Sequence, residues 1–324
     1  MHQRGAAGIC NSMDGQEKLA IEVLLREDQI AAQLQQALAD RFLDEKFFYW
    51  LPPSVRAWVE LTRSAEYRNS NRALQVLEGN AGSVARMWPE ARALYSIGCG
   101  EGSKDRILLR AYAQAGAPLE YVAADFSQAL LELALSGAGS MSRSRRGLKF
   151  DVAEDAHLRA LSHDGVASIY AVLGNTLGAF GPMHFPARLR EIMGRGDRAL
   201  FDGEIFDEAT TLAGYDNPTN RRFAFSPLAG VGLTENDGRL HFELRRGSGG
   251  IHEVAKFFEA ARRLELRVAG ASLQLEEGEK ILMSSSIKYD EEAFYPLIEN
   301  GGFVIELAAK SEDGKFLLAG ARPR

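Results

Sequence analysis

Cysteine is almost missing from this chain, which carries two in 324 residues, Cys10 and Cys99. Cys10 falls in an N-terminal stretch expected to be a disordered tail (residues 1–15) and Cys99 in a glycine turn, so no structural disulfide is expected and a reducing compartment fits. Neither reads as a nucleophile. The six histidines are scattered with no His-x-x-x-His or Cys-x-x-Cys spacing, which leaves a metal site without support. No apolar run approaches the roughly 20 residues that cross a bilayer, and Met1 to Gly15 lacks the charged-then-apolar order of a signal peptide. The expectation is a cytoplasmic protein without a membrane partner. Basic residues are in deficit as well, 38 Lys and Arg against 44 Asp and Glu for a net charge of −6, so no overall field draws in nucleic acid. The one basic cluster, Arg143 to Arg146, lies in a Gly/Ser-rich stretch from Gly137 to Gly147 that reads as a flexible, solvated loop.

What is present is a soluble, core-forming composition with room for one large domain or two ordinary ones. The strongest local signal runs from Ala93 to Lys104: a buried strand, a glycine turn and the start of a helix, Lys104 to Gln114. Glycines at 98, 100 and 102 remove the Cβ atoms that would block a ligand, and the helix start offers unpaired N–H groups. A second strand, Leu119 to Ala124, ends at Asp125, where an acid can accept hydrogen bonds from ribose hydroxyls. A structural glycine turn is the competing reading, and Asp125 weighs against it. The spacing is Gly-x-Gly-x-Gly rather than Gly-x-Gly-x-x-Gly, with an acidic Glu101 where a pyrophosphate would prefer none. This points away from NAD and toward S-adenosylmethionine.

Around this unit the alternation of strands and helices predicts an α/β, Rossmann-like doubly wound sheet with its ligand at the carboxyl ends of the strands. Apolar residues from Gln16 to Phe42 recur at helical spacing and predict one or two helices; Ser54 to Thr62 and Ala73 to Met87 predict two more. Ser127 is the expected N-cap of a helix to Leu135, and the third to fifth strands are expected at Leu148 to Val152, Val166 to Leu173 and from Ala199. From Phe206 to Ile287 the rhythm breaks into turns (Tyr215 to Pro218, Ser226 to Gly232) and short strands, an inserted α+β lobe. A helix, Glu291 to Glu299, and a strand pair, Phe303 to Ala308 and Phe316 to Leu318, close the sheet. The expected division is a core of residues 72–204 and 288–324, with a substrate-binding lobe of residues 16–71 and 205–287.

The segment Leu173-Gly174-Asn175-Thr176-Leu177-Gly178-Ala179-Phe180 resembles the Gly-Ser-Thr-Ile-Gly-Asn-Phe motif of the histidine-specific methyltransferase family, which includes the histidine Nα-methyltransferase of ergothioneine biosynthesis. Lys46-Phe47-Phe48-Tyr49 resembles the family's Lys-Trp-Phe-Tyr, Leu61 to Tyr67 its leucine-to-Glu-Tyr segment, Tyr215-Asp216 its Tyr-Asp-Asp, and Ile281 to Tyr289 its run ending in Ser-x-Lys-Tyr/Phe. The resemblance covers Glu45 to the C-terminus and implies a class I S-adenosylmethionine-dependent methyltransferase with a second lobe for an amino-acid substrate. It further implies that Gly98, Gly100, Lys104, Asp125, Phe126, Asp151, Val152 and Asn175 hold the cofactor, Asp125 at the ribose and Asp151 and Val152 at the adenine. Tyr49, Tyr67, Gly174, Ala179, Tyr215, Ser284 and Ser286 would surround the substrate, with Tyr49 and Tyr67 also orienting it for reaction. Two positions depart from the family. Ala179 stands where an asparagine helps hold the amino-acid head, and Ser284 where a glutamate grips the imidazole. A hydroxyl replaces a charge-assisted bond worth roughly 1.5 to 3 kcal/mol, so a non-histidine amine is expected. Methylation of oxygen or of a guanidine nitrogen, and an inactive cofactor-binding protein, are the alternatives.

Overall fold

The computed structural model describes residues 19–163 and 165–324. The expected tail and Cys10 lie outside them. The N-terminal part begins with β1 (Ile21–Val23) and α1 (Glu27–Ala39), whose buried Ile30, Leu34 and Leu38 carry the helical period. A 3-10 turn at Glu45–Tyr49 leads into α2 (Pro52–Arg63), opened by proline where no intrahelical N–H is needed, and α3 (Arg68–Met87). The core then alternates: β2 (Ala93–Ile97), α4 (Ser103–Gln114), β3 (Glu120–Asp125), α5 (Gln128–Ala138), β4 (Ser144–Lys149), α6 (Asp155–Arg159), β5 (Ser168–Val172), α7 (Phe185–Ile192) and β6 (Arg198–Glu204). The middle segment holds α8 (Thr211–Tyr215), α9 (Pro218–Gly230), β7 (Gly238–Arg246), β8 (Ile251–Ala260), β9 (Leu264–Val268), β10 (Ala271–Leu275) and β11 (Lys280–Tyr289). The chain closes with α10 (Glu291–Asn300), β12 (Phe303–Lys310) and β13 (Phe316–Pro323).

Eight strands form one sheet in the order β1-β4-β3-β2-β5-β6-β13-β12. Strands β1 to β6 pair in parallel, and β13 runs antiparallel between β6 and β12. The continuous apolar character of β2 and β5 follows from burial on both faces, one against α3, α4 and α5 and the other against α7 and α10. A separate apolar cluster joins Ile30, Phe48, Phe223, Phe258 and Ile281, drawn from α1, the 3-10 turn, α9, β8 and β11.

Several expectations are corrected. The helical reading of the N-terminal segment fails at residues 21–23, which add β1 to the sheet edge through backbone pairing with β4. The stretch Gly137 to Gly147 is not a loop: it completes α5 and supplies most of β4, and Gly147 packs so tightly that a Cβ would lie 3.1 Å from Ile21 and Leu135 carbons. β4 ends at Lys149, so Asp151 lies beyond the strand rather than in it. The turns expected at Tyr215 to Pro218 and Ser226 to Gly232 flank and include α9, where the Asn217 side chain accepts from Asn220 N at 2.9 Å, Pro218 opens the helix and Pro227 is carried inside it.

Candidate active site

At the tip of β2 the turn residues Gly98, Gly100 and Gly102 take φ of 68°, 56° and 78°, left-handed values that glycine alone adopts freely. A Cβ on Gly98 would lie 2.8 Å from Thr176 Cγ2, so this position also has no room for one. The turn is fixed to β3 by Asp125, whose Oδ2 accepts from Gly100 N and Oδ1 from Ser127 N, both at 2.9 Å. Oδ2 also accepts weakly from Cys99 Sγ at 3.9 Å, and Oδ1 keeps a lone pair for a hydroxyl donor. Burial pushes Asp125 up to about 6 against the pull of these backbone bonds. Burial also pushes the Cys99 thiol well up, which removes it as a thiolate nucleophile. Past β4, Asp151 accepts from Lys46 Nζ at 2.6 Å and Ala153 N at 3.0 Å, tying the 3-10 turn to the core.

The loop after β5 is shaped by Asp202 of β6, which accepts from Gly174 N and Asn175 N at 2.7 Å and holds Asn175 at φ 59°. The Asn175 amide accepts from Glu204 N at 3.1 Å and donates to Ser286 Oγ at 3.3 Å and Ile287 O at 3.2 Å, so it joins β6 to β11. Tyr215 OH lies 3.1 Å from Ser286 Oγ. Behind it, Glu204 is held by Lys288 Nζ at 2.8 Å and Asn69 Nδ2 at 2.5 Å. Tyr49 OH donates to Glu45 Oε1 at 3.1 Å, and Trp58 meets the rings of Tyr49 and Tyr67 edge-on at centroid distances of 5.2 and 5.9 Å. Burial raises Tyr49, Tyr67 and Tyr215 well above the ordinary phenol range, so all three are neutral hydroxyls near pH 7. The glycine turn, Asp125, the three tyrosines and Ser286 line one cavity of about 420 Å³.

A family model described as histidine-specific methyltransferase, SAM-dependent, matches residues 26–229. The chain belongs to this family. It is an S-adenosylmethionine-dependent methyltransferase, built on an α/β, mostly parallel sheet with β13 inverted. Among solved structures it is similar to the CcbJ methyltransferase from Streptomyces caelestis at 12% identity and TM-score 0.38, covering 76% of this chain and 95% of that one. It is also similar to the sugar N-methyltransferase KedS8 from Streptoalloteichus sp at 13% and 0.39, covering 77% and 87%. The glycopeptide N-methyltransferase MtfA, complexed with sinefungin, is similar at 12% and 0.42, covering 91% and 97%. A search of curated proteins found no match.

In this methyltransferase every site residue expected from sequence lines the cavity except Ser284. Gly98, Gly100, Lys104, Asp125, Phe126, Asp151, Val152 and Asn175 are there, as are Tyr49, Tyr67, Gly174, Ala179, Tyr215 and Ser286. Ser284 is buried, and its Oγ donates to Glu45 Oε2 at 2.6 Å and accepts from Lys256 Nζ at 3.3 Å. The cofactor set fits the cradle: a turn of left-handed glycines beside a buried acid that accepts backbone N–H bonds at Gly100 and Ser127. Sequence reasoning missed Glu45, Trp58 and Lys256 on the cavity wall. Glu45 adjoins the Lys46 to Tyr49 segment, a signal that could have found it; Lys256 sits in β8 with no local mark. Among the described residues no group of three or more His, Cys, Asp or Glu side chains is arranged to hold a metal, and no helix is long and apolar enough to cross a membrane.

Proposed function

We propose that the enzyme N-methylates a free amino acid or a related small amine other than histidine. One observation carries this reading: three neutral phenols, Tyr49, Tyr67 and Tyr215, line the same cavity as the glycine turn and Asp125. The bound sulfonium supplies a methyl group already activated for transfer. The protein's part is then to hold the acceptor's lone pair in line and exclude water, which accounts for roughly 7 to 11 kcal/mol of barrier. Asp125 would accept from the ribose hydroxyls, Gly98, Gly100 and Lys104 would line the methionine end, and Asp151 and Val152 would flank the adenine. Tyr49 and Tyr67 would orient the amine through neutral hydroxyls, with Tyr215 beside the substrate. An α-amino group titrates near roughly 8, so enough is unprotonated near neutrality without a strong base.

Histidine is disfavoured on two grounds. Ala179 offers no side-chain hydrogen bond to an amino-acid head. Glu45, the carboxylate beside Ser284, is shared with Lys256 Nζ at 3.5 Å, whose positive charge opposes a protonated imidazole there. Incubation with S-adenosylmethionine and a panel of amino acids and small amines, read by mass spectrometry of the acceptors, tests the proposal. Methylated amine is expected; preferential methylation of histidine, or cofactor binding with no methylated amine, would refute it.

A further inference from the structure

Lys256 is a cavity-lining charge to which the methyl-transfer reading gives no part. It projects from β8, is 2% exposed and faces the same space as Tyr215 and Ser286. A buried ammonium has three N–H groups and needs oxygens at roughly 2.7 to 3.2 Å to offset lost hydration. Here the oxygen contacts are long, 3.3 Å to Ser284 Oγ and 3.5 Å to Glu45 Oε2, and the remaining close neighbours are the ring faces of Phe48 and Phe223 at 5.0 and 6.0 Å. Glu45, by contrast, is well supplied: Oε2 takes the Ser284 hydroxyl at 2.6 Å and Oε1 the Tyr49 hydroxyl at 3.1 Å. The pair is lopsided, a satisfied carboxylate beside a cation short of an acceptor.

We infer that Lys256 receives an oxygen of the methyl acceptor, so the substrate class is an amino acid or small amine whose far end carries a carboxylate or carboxamide. This rests on the N-methylation reading above. A basic side chain would bring a second positive charge against Lys256. An aliphatic one would leave the ammonium as short of oxygen as it is now. A carboxylate or amide oxygen supplies the missing partner and makes Lys256 a specificity-determining residue.

The test uses the whole protein saturated with S-adenosylhomocysteine, titrated calorimetrically with glutamate, glutamine, aspartate, asparagine, leucine, lysine and histidine, alongside kcat/KM for each with S-adenosylmethionine. The oxygen-bearing side chains are expected to bind about ten- to a hundredfold more tightly than leucine, as one hydrogen bond to a charged group allows. The acid-against-amide pairs then separate carboxylate from carboxamide. Lys256→Met should erase this preference through KM more than kcat, and Lys256→Arg should retain part of it. Should Lys256→Met not fold, the double variant Lys256→Met with Glu45→Gln removes both charges and carries the same expectation. Preference of the wild type for leucine or lysine, or survival of the preference in a folded variant lacking Lys256, would overturn the inference and leave N-methylation standing. Failure of every amine to bind and to be methylated would overturn N-methylation itself, and the inference with it.

Discussion

Acidifying the medium from pH 7.5 to 5 should weaken binding of S-adenosylhomocysteine by about ten- to a hundredfold. Two buried carboxylates carry this. Asp125 and Asp202 are each pushed up to about 6 by burial, against backbone N–H bonds that favour the anion. Asp125 would take ribose hydroxyls only as an acceptor; protonated, one of its oxygens becomes a donor and competes with Gly100 N–H or Ser127 N–H for position. One unit below its titration point about a tenth remains ionised, which costs about 1.4 kcal/mol, or a factor of about ten. Asp202 titrates in the same range and holds the Gly174 and Asn175 amides, so its protonation loosens the facing loop and extends the loss toward a hundredfold. For stability the sign is opposite. Both groups titrate above their ordinary carboxylate value, so the folded state holds protons that the unfolded state has released between about pH 4 and 6. Their contribution to the unligated protein therefore falls as pH rises through that window and is constant above it. Calorimetric titrations from pH 8 to 5 read the affinity, and Asp125→Asn should flatten the curve to the share set by Asp202. An affinity that is independent of pH across this range would refute the reasoning.

Ser284→Glu, which the family resemblance alone would recommend for gaining histidine activity, should instead destabilise the protein. Ser284 sits at φ 75° against the Glu45 carboxylate, and a second carboxylate there meets like charge; an unchanged melting temperature with new histidine turnover would contradict this. Lys288→Met should cost about 3 to 5 kcal/mol in urea denaturation because it strands buried Glu204, and adding Glu204→Gln should recover most of it. Gly98→Ala should lower both melting temperature and cofactor affinity by about 1 to 3 kcal/mol, since the added methyl meets Thr176 Cγ2 at 2.8 Å at a left-handed φ; a neutral effect would count against the close fit. Tyr215→Phe should raise the acceptor KM about tenfold and leave S-adenosylhomocysteine affinity alone, as one lost hydrogen bond at the amine end requires. A change confined to cofactor affinity would move Tyr215 to the other end of the cavity.

The donor half of the site was legible because its chemistry is local. Three glycines and an acid at the next strand tip are adjacent in the chain, and β2 and β5 announce themselves as continuous apolar runs. β1 was not legible: three residues at a sheet edge pair through backbone alone and leave no alternation to read. β4 was hidden by Ser144, Arg145 and Arg146, which read as solvated, although Lys149 at its end is buried and paired with Glu27. The two ends of α9 read as turns because Asn217, Pro218, Pro227 and Gly230 are turn residues elsewhere; here the first two cap and open a helix. The acceptor wall was the least legible part. Glu45 and Ser284 meet across 239 residues of chain, and no periodicity in either segment encodes that meeting.

The short turn at Glu45–Tyr49 has five residues, and they face both halves of the cavity. Lys46 is bonded to Asp151, where the proposed site would seat the nucleobase, while Glu45 and Tyr49 are bonded to each other. One five-residue turn therefore carries side chains fixed to the core at Asp151 and side chains bonded to each other on the cavity wall. By linkage, whatever strengthening of acceptor binding a donor produced through this turn would be returned by the same factor in donor binding.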